Sequence, residues 1–174
     1  MVRPVVLQMV WTGGFKTVDA MVEHLKSLGA DKPDRILYFG VGQVMGKRRR
    51  TAIQYVGKSE NSAGVHNRFN AKHKLYQIQG AHSFWYSSFY KAKMEKNEIT
   101  KFDFRVNLAE KFMIKYFDPP MNKNRKKFDA GHHGTIHSFW QDAELNEIAR
   151  PFEWFPEVID YDASDGNFYE GDYG

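Results

Sequence analysis

The chain contains no cysteine in 174 residues. Disulfide staples and thiolate metal sites are thereby excluded, and a reducing compartment suits the composition. No apolar run approaches the ~20 residues that a membrane-crossing helix needs, so no membrane partner is expected. The stretch from Met1 to Trp11 is too short in apolar character, and lacks the small-residue cleavage site, to read as a secretory signal. The expected location is cytoplasmic. Internal repeats and long linkers are also missing. Positive charge is absent from one end: residues 151–174 hold seven acids and no Lys or Arg. Residues 1–150 hold all 25 Lys and Arg against 14 acids, a net +11 that favours a polyanionic partner through counterion release. Solubility is the competing explanation of that excess.

What is present describes one globular domain, residues 1–174, with a core of its own. Residues 4–11 read as a strand. Thr17 is an expected N-cap for a helix from Val18 to Leu28, with an apolar stripe of Val18, Met21, Val22, Leu25 and Leu28 and a stop at Gly29. After the turn-rich Asp31-Lys-Pro-Asp34, strands are expected at 35–41 and 52–58, joined by a hairpin tip carrying Lys47, Arg48, Arg49 and Arg50. A helix over 63–76, a strand over 83–92, a short strand over 102–106 and a helix over 108–117 follow. Pro119-Pro120 cannot continue that last helix. A final helix is expected near 142–150. Residues 152–159 are apolar enough to pack on the body. Beyond them, 160–167 read as a loop within an acidic, aromatic tail, either disordered or lying in a substrate groove.

Several polar residues sit where chemistry would need them. On a helix at ~100° per residue, Glu110 lies close to Met113, Ile114 and Phe117, a carboxylate on an apolar face. Such a group needs a cation: a metal, or an internal partner such as Arg68 or Arg105. Tyr38 and Tyr55 lie on neighbouring strands, where matching side chains can share one face. On a continuous helix Lys72 would lie ~40° from Arg68 and His73 ~140° away, which favours Lys72 beside Arg68. Packing alone is the other reading of Lys72. The spacing His132-His133-x-x-x-His137 resembles a metal cluster, yet no fourth ligand is suitably placed, so a basic loop or phosphate contact is expected there.

Tyr38, Tyr55-Val56-Gly57-Lys58-Ser59, Arg68, Glu110 and Pro120-Met121-Asn122, in that order, resemble the GIY-YIG endonuclease family over roughly residues 34–124. The first motif departs from the family pattern: Ile36-Leu37-Tyr38 stands where Gly-Ile-Tyr is expected. The resemblance implies an α+β fold, a small antiparallel sheet flanked by helices, with additions at 1–33 and 125–174. It also implies catalytic roles for Tyr38, Tyr55, Arg68, Glu110 and Asn122, with Lys72 at the position where the family commonly carries histidine and His73 next to it. Glu110 would be the sole protein ligand of Mg²⁺ or Mn²⁺. The implied activity is metal-dependent hydrolysis of DNA phosphodiester bonds, by a compact restriction-type enzyme or a repair or homing nuclease. The partner would be double-stranded DNA, with a homo-oligomer on the DNA left open. Lys47 to Arg50, Lys58, Lys123, Arg125 and Lys126 would contact its phosphates. A nucleic-acid-binding protein that keeps the fold without catalysis, and a protein-interaction module using the acidic tail, are the alternatives.

Overall fold

The computed structural model describes residues 4–29, 33, 35–43, 51–59, 68–80, 82–88, 96–122 and 132–173. Its strands are β1 (Val5–Phe15), β2 (Ile36–Gln43), β3 (Thr51–Ser59), β4 (Ser83–Ser88), β5 (Gly134–Gln141), β6 (Val158–Asp162) and β7 (Asn167–Gly171). Its helices are α1 (Val18–Ser27) and α2 (Lys96–Phe117). All seven strands join one curled sheet in the order β3-β2-β4-β1-β5-β6-β7. Every neighbouring pair is antiparallel except β1 with β5, which run parallel.

This corrects the expected fold class. A small antiparallel sheet flanked by helices is replaced by a large mixed sheet with two α-helices among the described residues. The expected short strand at 102–106 lies inside α2, because Val106, Ala109 and Met113 recur with helical period and are buried. The expected helix near 142–150 is a turn. The Asp142 carboxylate accepts from the backbone N–H of Glu144 and of Asn146, each at 2.9 Å, and Leu145 sits at φ 67. A side chain that captures those N–H groups removes them from a helix. The acidic tail forms β6 and β7. Their connection is held by Asp162, which accepts from Ser164 N at 2.8 Å, and by Gly166 at φ 74.

The sheet is covered on both sides, which is why β2 is apolar almost throughout. Leu37, Phe39 and Val41 face α2, where Leu108, Phe112 and Met113 pack with Trp11, Trp85, Trp140 and Phe155. Ile36 and Tyr38 face α1, beside Met21, Leu25 and Phe84. The α1 stripe is buried as its spacing requires, and Thr17 Oγ1 caps the helix by accepting from Ala20 N at 3.0 Å. No helix among the described residues is long and apolar enough to cross a membrane.

Candidate functional site

Register places the two tyrosines. Tyr38 pairs with Gly57 and Tyr55 pairs with Gly40, so both rings stand on the α1 face, each opposite a glycine of the other strand. Their ring centroids are 6.3 Å apart. A Cβ on Gly57 would lie 2.7 Å from Tyr38 Oη, so the phenol leans across β3 only because that side chain is absent. A Cβ on Gly40 would collide with Ile78 Cδ1, and its absence lets the next segment settle on the sheet.

That segment corrects the helix expected over 63–76. Its described part, from Arg68, is a series of turns. Asn70 Oδ1 accepts from Lys72 N at 3.0 Å, and His73 N donates to Asn70 O at 2.8 Å. His73 then has extended backbone and caps a 3-10 turn at Lys74–Gln77. The Asn70 side chain competes with the helical ladder, so helical angles do not apply. Lys72 is exposed, and His73 turns inward. The continuous helix that would set Lys72 beside Arg68 is absent, and the early break turns His73 inward instead.

Four of the expected residues meet. Tyr38 Oη is 2.9 Å from His73 Nε2 and accepts from Arg68 Nε at 3.1 Å. The His73 ring lies 5.7 Å from that of Tyr55. Lys74, which sequence reasoning passed over, places Nζ 5.1 Å from the centre of the Tyr55 ring and donates to Met121 O. Nothing in its spacing marked it, since its position depends on the 3-10 turn.

Glu110 is half-buried on α2, at the rim of the buried face rather than its middle. Its Oε2 is 4.0 Å from Lys58 Nζ, which also donates to Asn107 Oδ1. Lys58, expected to bind nucleic acid, faces α2 and makes these internal contacts. Asn122 is buried and acts on backbone: its Oδ1 accepts from Val56 N at 3.0 Å and its Nδ2 donates to Val56 O at 2.8 Å. It thus completes the outer edge of β3 as a further strand residue would. Lys47, Arg48, Arg49, Arg50, Lys123, Arg125 and Lys126 lie outside the described residues.

The electrostatics tie these groups together. Burial raises Tyr38 well above the ordinary phenol range, with the Tyr55 and Glu110 charges adding and Arg68 opposing. Burial also raises Tyr55, with the Arg68 charge opposing. For Arg68, burial acts to lower its value, but neighbouring Tyr38, Tyr55 and Glu110 outweigh it and raise it. Burial, then the Arg68 and Lys74 charges, push His73 down to about 4. His73 is consequently neutral at pH 7. The Glu110 charge is a smaller cause in the same upward direction for Tyr38, Tyr55 and Arg68.

The histidines at 132–137 turn to separate partners. His133 Nδ1 lies 3.1 Å from Asp162 Oδ1, and His137 contacts the Tyr173 hydroxyl. Among the described residues no group of three or more His, Asp or Glu could hold a metal ion. Comparison with known proteins adds no relative: no family model, no curated protein and no solved structure matches the chain.

Proposed function

We propose that this protein is a divalent-metal-dependent endonuclease that hydrolyses DNA phosphodiester bonds. One observation carries the reading: Tyr38, Tyr55, Arg68 and His73 converge on one sheet face, with Arg68 and His73 both on Tyr38 Oη. Arg68 uses Nε on Tyr38, and its guanidinium carries further N–H groups for phosphate oxygens. There they would offset the charge that builds as water attacks phosphorus. The half-buried phenol of Tyr55 would orient that water, with the buried Tyr38 beside it as support. The +11 charge of residues 1–150 suits a polyanionic substrate.

The donor set fits a hard cation that keeps most of its water. Glu110 supplies one carboxylate, and Mg²⁺ or Mn²⁺ commonly takes one or two protein carboxylates plus phosphate oxygens. Glu110 would hold the ion, which when bound supplies Lewis-acid charge at the scissile phosphate. Lys58 would have to release that carboxylate. The Lys58–Glu110 pair is also the observation that favours the second reading, a nucleic-acid-binding protein without catalysis.

Nicking of supercoiled plasmid with Mg²⁺ or Mn²⁺ decides between them. The expected result is nicking by the parent, none by Glu110→Ala, and DNA binding by both. Binding without nicking by the parent selects the second reading. Undiminished nicking by Glu110→Ala refutes the assigned metal ligand.

A further inference from the structure

We propose that His73 is a positioning residue locked in one tautomer, whose Nε2–H and the Nε–H of Arg68 are both given to Tyr38 Oη and fix the Tyr38 phenol. Only the catalytic consequence rests on the endonuclease reading; the tautomer rests on geometry. Leu75 N donates to His73 Nδ1 at 3.2 Å. A backbone N–H can only donate, so Nδ1 presents its lone pair. A neutral imidazole has one ring proton, which must then sit on Nε2. The 2.9 Å contact therefore runs from His73 Nε2–H to Tyr38 Oη. Arg68 Nε, 3.1 Å from the same oxygen, can only donate as well.

Two acceptances leave the Tyr38 proton to point elsewhere. The opposite arrangement, with His73 drawing the proton from Tyr38, needs a bare Nε2. The proton would then sit on Nδ1, donor against donor with the Leu75 N–H. That geometry disfavours His73 as a base.

Long-range ¹H–¹⁵N NMR on the labelled full chain at pH 7 tests this without any catalysis. The His73 signals are identified by their loss in His73→Gln. A proton on Nε2 is expected; a proton on Nδ1 overturns the proposal. Variants test the consequence. Glutamine sets an amide N–H near the Nε2 position, whereas asparagine sets one near Nδ1. His73→Ala should lower kcat about two- to tenfold, the range for one hydrogen bond between neutral groups. Gln should recover most of that loss, and Asn should not. A folded His73→Gln as impaired as His73→Ala would overturn the donor role. If the parent cuts no DNA, the endonuclease reading fails, while the NMR measurement still decides the tautomer.

Discussion

Gly57→Ala introduces one methyl group at the most crowded point of the site. Its Cβ would lie 2.7 Å from Tyr38 Oη, 2.8 Å from Cζ and 2.9 Å from Cε2. The Tyr38 ring cannot swing aside freely. It is fully buried, meets the Phe69 ring edge-on at 4.9 Å, and is held by His73 and Arg68. Overpacking of this kind costs about 1–3 kcal/mol. Displacing the hydroxyl adds about 1 kcal/mol for each hydrogen bond lost. With both bonds lost, a total destabilisation of about 3–5 kcal/mol is expected, or about 6–20 °C in Tm at this chain length. Urea denaturation measures it.

Tyr38→Phe supplies the internal control. It removes the atom at 2.7 Å but leaves the two ring-carbon contacts. The double variant should therefore lose less stability than the two single losses added together, by about 0.5 kcal/mol or more. In cleavage, Gly57→Ala should cost about a hundredfold, the usual effect of a 1 Å misplacement. A variant with the parental midpoint, or strict additivity in the cycle, would refute the packing argument.

Asn122→Ala leaves the Val56 N–H and C=O without their present partners. The expected loss is about 2–4 kcal/mol in urea, and less than about 0.5 kcal/mol would mean that water replaces the amide at no cost. Trimming after Ile159 removes Tyr161 and Phe168, whose rings pack on Phe112. A drop of at least about 3 kcal/mol is expected, and an unchanged thermal midpoint would return the tail to a dispensable role. Acid should weaken the fold through His73, whose folded value of about 4 lies below the ordinary 6.5. The unfolded chain binds the extra proton first, so this contribution is complete above pH 6.5 and is lost as pH falls towards 4. The same acid-side slope in His73→Gln would assign the loss to other groups.

The parts of the fold that could be read from the sequence were those decided locally. The α1 stripe of Val18, Met21, Val22 and Leu25 repeats at helical spacing, and each of the four is buried. The apolar stretches of β2 and β3 also announce themselves. By contrast, β5 shows alternating burial at Ile136, Ser138 and Trp140, yet its place beside β1 depends on pairing across about 130 residues. No local pattern specifies that partner. The helices expected at 63–76 and 142–150 failed for a different reason. Asn70 and Asp142 each hold a backbone N–H two positions on, Lys72 and Glu144, with a single side-chain oxygen. Composition alone does not show whether such a side chain faces solvent or captures its own backbone.

The candidate site shows how much can hang on one such bond. Tyr38 and Tyr55 were visible as residues on adjacent strands, but which of two adjacent side chains would join them was not. A continuous helix brings Lys72 towards Arg68; the Asn70 turn instead exposes Lys72 and delivers His73 to Tyr38 Oη. The same turn brings the Leu75 N–H under His73 Nδ1, and with it the tautomer. Asn70→Ala therefore bears on three properties together: the turn, the residue that faces Tyr38 and the direction of its hydrogen bond. Helix-forming residues in place of this turn would rotate Lys72 towards the phenol, exchanging a neutral donor of fixed direction for a flexible ammonium.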